Sequence, residues 1–531
     1  MTGFRRETSD ILRELDALRA ADAPTHGGHV LSYVYDSGLD ELDELAGRAA
    51  RRVQPVNGLD PTTFGSVAAM ERDVVGFARR VLGGADDGDG ADGLGGFGGA
   101  PSAQREVVVG SVTSGGTESC LLAVKTARDA WRAARIGSPR MPRIVAPVTV
   151  HAAFHKAAHY FGLELDLVPV DPATGTLAPS AIEERLGDDV ALVVVSAPSY
   201  PFASLDPVAD VAAITAARGI WLHVDACIGG FALAFWPDAL PAWDFSVPGV
   251  TSISADLHKY GYAPKGASVL LTRGRDRQRR QYFATTGWPG YPVVNPTMTG
   301  SKPAGPLAAA WAIIEALGTE GFRDLTAQAA RATAELRSAI DGIEGLRVVG
   351  EPTGPLLAVA ADEEAPVASR VDPHHWADAA RSAGWQLQLQ PGLVQSDGSR
   401  LPHTTHLTVT PVTEQVLPGL IGALVAAADE VRGIPQIDGR AALAGLVAAL
   451  PGEFGGALAA GDPEELAAFA ASIDADSAAG VLAAAGLLGG EGALPDQLAP
   501  VLALVEALPG PLTERLLVEL LARVVEPPAA G

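Results

Sequence analysis

Between residues 106 and 317 short runs of Val, Ile and Leu alternate with segments whose apolar positions recur at helical spacing. VVVG (107–110), RIVAPV (143–148), VALVVVSAP (190–198), GIWLHVDA (219–226), VTSISAD (250–256) and ASVLLT (267–272) predict strands, with helices at Thr117 to Arg135 and Val208 to Arg218. Near-continuous apolar strands separated by helices belong to a sheet covered on both faces, an α/β domain of the doubly wound kind. From Thr319 to Gly433 the pattern changes. A long helix, LRVVG, LLAVAA, a helix at 374–383, WQLQLQ, THLTVTP and a closing helix predict a small α+β domain with a mostly antiparallel sheet. Residues 436–531 are Ala, Leu and Gly with acidic punctuation and read as amphipathic helices serving packing or self-association. The chain thus divides into an N-terminal helical segment (1–60), a large domain (61–318), a small domain (319–433) and a helical extension (436–531).

Composition narrows the partners. The 39 Lys and Arg face 63 Asp and Glu, a net charge of −24, which repels nucleic acid and anionic membranes but does not prevent backbone N–H groups from holding a phosphate locally. Gly83 to Ala103 is too rich in Gly and Asp to pack a core and reads as a solvent-facing loop. The two cysteines, Cys120 and Cys227, sit in apolar or Gly-rich settings and are expected as buried free thiols. The longest apolar run, 478–490, falls short of the ~18 residues of a membrane span. Charges also interrupt the apolar runs of the N-terminus, so no secretory leader is expected and the location is read as cytoplasmic.

In open α/β sheets ligands lie beyond the carboxyl ends of the strands, where four features gather. Ser114, Gly115, Gly116 and Thr117 follow the first strand and enter a helix, forming either a phosphate cradle or an ordinary turn capped by Thr117. Asp225 ends an apolar strand, where its carboxylate needs a cationic partner or caps the next turn. Lys259 follows another strand, where burial would lower its pKa and make it an amine nucleophile. His151 follows a third. Together they meet the needs of pyridoxal 5'-phosphate: a cradle for phosphate, a flat partner for the ring, a carboxylate for the ring nitrogen and an amine for the aldehyde. No metal site is expected.

At these residues the chain resembles the pyridoxal-phosphate group II decarboxylase family, and within it the sphingosine-1-phosphate lyase branch. The resemblance rests on GVTSISADLHKYGYAPKGASVLL (249–271), VTSGGTES (112–119), PVTVHAAFHKAAHYFG (147–162), HVDACIGGF (223–231) and PTMTGSKPAG (296–305), and spans about 27–432. It implies a fold-type I large domain with a mostly parallel sheet, and a homodimer with composite sites. By position it implies Lys259 as the Schiff-base lysine, Asp225 at the ring nitrogen and His151 stacked on the ring. Ser114, Gly115, Gly116, Thr117 and His258 would hold the phosphate, with Gly300 and Ser301 supplied by the second subunit. Tyr35, Asn57, Tyr262, Lys265 and Lys302 match positions of substrate contact, Tyr262 and Lys265 also of proton transfer. Asp60, Phe202-Ala203 and Lys302 depart from the family's His, His-Gly and Arg, which weakens the match to a substrate phosphate. The implied activity is carbon–carbon cleavage of a phosphorylated long-chain amino alcohol, with amino-acid decarboxylation as the alternative. A third reading, a scaffold acting through its helical tail, predicts no cofactor chemistry.

Overall fold

A computed structural model describes residues 5–84, 106–449, 463–487 and 495–527; the expected Gly/Asp-rich loop lies outside these from residue 85 onward. The central sheet comprises β1 (Val108–Thr113), β2 (Arg143–Pro147), β3 (Glu164–Val168), β4 (Val190–Ser196), β5 (Trp221–Asp225), β6 (Ser252–Ala255) and β7 (Ser268–Arg273). Their order is β1-β7-β6-β5-β4-β2-β3. β2 to β6 run parallel, and β7 is antiparallel to both its neighbours. Six of these strands coincide with the apolar runs. Every residue of β4 is buried, as a strand between two helical layers requires. β3 is the strand that the pattern did not predict, because it lies at the sheet edge and carries Glu164 and Asp166.

A hairpin of β8 (Phe283–Thr285) and β9 (Val293–Asn295) leads to the long helix Gly305–Asp341, which breaks at Gly318 (φ 52°). Beyond it β10 (Leu346–Val348), β11 (Leu356–Ala361), β12 (Gln388–Gln390) and β15 (Thr404–Thr408) form an antiparallel sheet in the order β10-β11-β15-β12. A second hairpin, β13 (Leu393–Val394) with β14 (Arg400–Leu401), projects between β12 and β15. Behind the small sheet the fully buried Trp376 donates from Nε1 to the Leu424 carbonyl at 2.9 Å, joining helices Pro373–Ser382 and Thr413–Val431.

The segment containing Tyr33 and Tyr35 is not free-standing. Leu31 is buried; its N–H donates to the Gln386 carbonyl (2.8 Å) and its carbonyl accepts from Thr408 N–H (2.7 Å). The small sheet thereby carries both tyrosines to the carboxyl edge of the large one. Among the described residues no helix is long and apolar enough to cross a membrane.

Candidate active site

Sheet register builds the site. Asp225, the last residue of β5, pairs with Ser196 on one side and Ser254 on the other. The chain then turns between β6 and β7 through Asp256, His258 and Lys259 without a crossover helix, and β7 returns antiparallel. Ser114, Gly115, Gly116, Thr117, His151, Asp225, His258 and Lys259 all line one cavity of about 380 Å³. Gly116 is required by close approach: a Cβ there would lie 2.7 Å from the Asp256 carboxylate and 2.8 Å from Cys227 Sγ. The helix it opens, Gly116–Ala134, leaves its first N–H groups without intrahelical acceptors, facing the cavity.

Asp225 is buried, which pushes its carboxyl up. The charge of His151 and the hydrogen bonds from Cys227 oppose this and the net shift is downward, so its pKa lies below the ordinary value. Cys227 N–H donates to Asp225 Oδ1 at 3.1 Å, and Ser254 Oγ lies 3.3 Å from the same oxygen. Ser254 also meets His223 Nε2 (3.1 Å) and Cys227 Sγ (3.2 Å). Burial pushes His223 down to about 4, so this histidine is neutral and serves to fix Ser254. Cys120 and Cys227 are both free and buried, with their sulfurs 3.9 Å apart.

Lys259 corrects the expectation of a depressed pKa. Burial is the largest single influence and lowers it, but Asp256, with Oδ2 3.1 Å from Nζ, acts together with Tyr35, Cys227 and Asp225 to outweigh burial, and the net shift is upward. Asp256 is 2% exposed and also faces His258 Nε2 at 3.5 Å, so it anchors both residues of the turn. Glu118 has a similar role: its carboxylate accepts from Ser114 N–H and from Met298 N–H, each at 2.6 Å. Asp256, Ser254, His223 and Glu118 are the site residues that sequence reasoning did not single out.

A second cavity, about 470 Å³, shares Lys259, His151 and Tyr200 with the first and runs outward past Tyr33, Tyr35 and Phe202 to Gln388, Gln390 and the β13–β14 hairpin. Its lining is largely apolar and, among the described residues, Lys259 is its one lysine or arginine. Lys265 lies beside it, with Nζ 4.5 Å from the centre of the Tyr35 ring and bonded to the His258 carbonyl (3.1 Å). Burial and the charge of Lys259 lower Lys265 to about 8, while burial raises Tyr35 to about 12.

Some expected residues are elsewhere. Tyr262, expected at the substrate, has φ 56° and packs its ring on Phe322 in the core. Its hydroxyl is buried without a hydrogen-bond partner and its pKa is raised by burial. Asn57, Ser301 and Lys302 cluster together, with Asn57 Nδ2 donating to Ser301 Oγ at 3.2 Å and Lys302 N–H reaching Asn57 Oδ1 at 3.4 Å. Neither they nor Gly300 line the two cavities of this chain. Asp60 caps its own turn: Thr62 and Thr63 donate to it from N–H and hydroxyl, lowering it to about 2.

The pyridoxal-dependent decarboxylase conserved domain matches residues 92–359, and sphingosine-1-phosphate lyase of Oryza sativa subsp. japonica is 31% identical over 454 residues, 84% of this chain and 77% of that one. The chain belongs to the pyridoxal-dependent decarboxylase family. Sphingosine-1-phosphate lyase of Dictyostelium discoideum is 32% identical over 68% of this chain, which spans 64% of that relative's length. The solved sphingosine-1-phosphate lyase of Burkholderia pseudomallei is 31% identical, with a TM-score of 0.70 over 81% of this chain and 93% of that one. Glutamate decarboxylase of Lactobacillus brevis, at 18% identity and a TM-score of 0.68, shares the fold. Residues 441–523, which sequence reading left outside the resemblance, match a C-terminal HTH domain of pyridoxal-dependent enzymes.

The family's cofactor fits the cavity. Unpaired N–H groups at a glycine turn, with His258 beside them, suit its phosphate, and the ionised Asp225 suits a protonated ring nitrogen. Lys259 supplies the amine and His151 lines the same wall.

Proposed function

We propose that this protein is a pyridoxal-phosphate-dependent carbon–carbon lyase. Its substrate would be a long-chain 2-amino-3-hydroxy compound carrying a phosphate, cleaved to an aldehyde and an ethanolamine phosphate. The observation that carries this reading is the outer channel: it opens on Lys259 and runs outward between tyrosine rings and the apolar side chains of Phe202, Leu389, Leu393 and Leu401. Its volume and lining suit an alkyl arm. The similarity to sphingosine-1-phosphate lyases supports the reaction class.

When bound, pyridoxal phosphate accepts the electron pair released at Cα. The chain's own residues handle orientation and protons. Asp225 stays ionised at neutral pH and holds a proton at the ring nitrogen. The 3-hydroxyl must lose its proton as the Cα–Cβ bond breaks and the carbonyl forms, and Cα must regain one. Lys265, at about 8 and beside the channel, is the residue poised for that traffic, since Tyr35 at about 12 holds its proton. Only neutral Lys265 accepts a proton, so kcat/KM should climb with pH up to about 8 and level above it. In Lys265→Arg, charged throughout, the pH–rate profile should lose that limb; an unchanged profile removes Lys265 from the reaction.

The second subunit is part of this proposal. The β8–β9 hairpin exposes Phe283, Trp288, Tyr291 and Val294, an apolar arm leading directly to Gly300 and Ser301. Covering that arm in a homodimer would bring Ser301 and Lys302 to the other protomer's site and add a second lysine to a channel whose own is Lys259. Phe202, in place of the family's His, favours one rival reading, an amino-acid decarboxylase. Incubating the holoenzyme with a phosphorylated long-chain amino alcohol should yield the fatty aldehyde. Carbon dioxide and amine from amino acids, with no aldehyde, would establish the rival.

A further inference from the structure

The match of residues 441–523 to an HTH domain raises nucleic acid as an occupant, yet the charge opposes it. Residues 436–531 carry three arginines, no lysine and thirteen carboxylates, the wrong sign for a phosphate backbone. Arg523 is bonded to Glu519 (2.6 Å), and Arg515 reaches the Ile473 carbonyl. The contacts of this unit instead point inward, to the small domain.

Leu498 and Leu502 pack against the small-domain core. Asp378, buried on helix Pro373–Ser382, accepts from the N–H groups of Leu498 (2.9 Å) and Ala499 (2.8 Å) and so caps the tail helix Ala499–Ala507. At the other end of that helix Glu506, its side chain 8% exposed, uses both oxygens: Oε1 accepts from Gly392 N–H (3.0 Å) and Oε2 from the Arg400 guanidinium (2.7 Å). A buried carboxylate with two charge-assisted or backbone donors is a rigid joint.

Gly392 and Arg400 bracket the β13–β14 hairpin, whose Leu393 and Leu401 line the outer channel above Lys259. From its opposite side the hairpin is pinned to the large domain by Gln395, which exchanges two 2.8 Å bonds with the Val170 backbone. This part of the channel wall therefore hangs between the large domain and the tail.

We propose that the C-terminal helical unit is a built-in brace of the substrate channel, with Glu506 as its positioning residue. It holds the hairpin at the height that admits a long apolar substrate arm. The inference rests on reading the outer cavity as the substrate channel, and it does not depend on which bond is cleaved.

The test uses full-length holoenzyme and the variants Glu506→Ala and Glu506→Gln. Two primary amines that lack a 3-hydroxyl and so cannot be cleaved, one with a long alkyl chain and one short, serve as probes, with binding followed by the change they cause in the visible absorbance of the cofactor. Loss of the carboxylate should speed amide hydrogen exchange in residues 391–402 about tenfold and weaken the long amine about tenfold, with the short amine unchanged. Glu506→Gln, which retains an acceptor for Gly392, should fall between wild type and Glu506→Ala. Exchange in helix Gly116–Ala134 should not move, which separates a loosened hairpin from general unfolding. Unchanged exchange at 391–402, or equal weakening of both amines, would overturn the brace. A protein that shows the expected split yet releases no aldehyde would keep the brace and lose the lyase.

Discussion

Lys259→Ala should lower turnover by roughly 10⁴-fold or more and remove the Schiff-base absorbance of the bound cofactor, because no other amine among the cavity-lining residues can replace Nζ. The same substitution should also cost stability, for a reason separate from chemistry. Asp256 is 2% exposed and its Oδ2 loses the ammonium 3.1 Å away, leaving His258 at 3.5 Å as its neighbour. Breaking a buried pair from one side typically costs about 3–5 kcal/mol. The two effects can be parted. Lys259→Arg keeps a cation near Asp256, so thermal unfolding should move little while turnover stays lost. Lys259→Ala combined with Asp256→Asn removes the uncompensated charge and should recover much of the stability but none of the activity. Lys259→Ala turnover within tenfold of wild type would mean that the reaction does not pass through this amine.

The contrast between Lys259 and its neighbours shows what a sequence carries. Strands buried on both faces leave continuous apolar runs, so β4 and β5 are legible, whereas β3 at the edge hides behind Glu164 and Asp166. The cavity-lining cofactor residues are legible because each stands at a strand end or a helix start, and the sheet brings such positions together. The sign of the Lys259 shift is not, because burial alone lowers it and the groups that raise it, Asp256 first, are brought together only by the fold. Tyr262 shows that adjacency is not direction: three residues beyond Lys259, φ 56° turns its ring to Phe322. The joint at Glu506 depends on Gly392 and Arg400, more than a hundred residues away, and no local pattern encodes such a pairing.

Asp225→Asn should fold and bind cofactor yet turn over about 10²–10³-fold more slowly, the loss typical of removing one preorganised electrostatic partner. The amide can retain the oxygen that accepts Cys227 N–H at 3.1 Å and meets Ser254 at 3.3 Å, so the turn after β5 keeps its bonds. Asp225→Ala loses that acceptor as well, and the buried Cys227 N–H then goes unpaired at a cost of about 1–3 kcal/mol. A difference in unfolding temperature between Asn and Ala, with turnover low in both, would separate the carboxylate's structural bond from its charge. The pH dependence follows from the direction of the shift. The folded carboxyl lies below its unfolded value, so its contribution to stability is complete above the unfolded pKa of about 3.9 and fades as pH falls through the folded one. Stability of the wild type relative to Asp225→Asn should therefore stay level from pH 6 to 8 and narrow only in acid. The limb near pH 8 belongs to Lys265 and should persist in whatever activity Asp225→Asn retains. Its disappearance in that variant would show that the two groups titrate as one system and that assigning the neutral-pH proton to Lys265 alone is wrong.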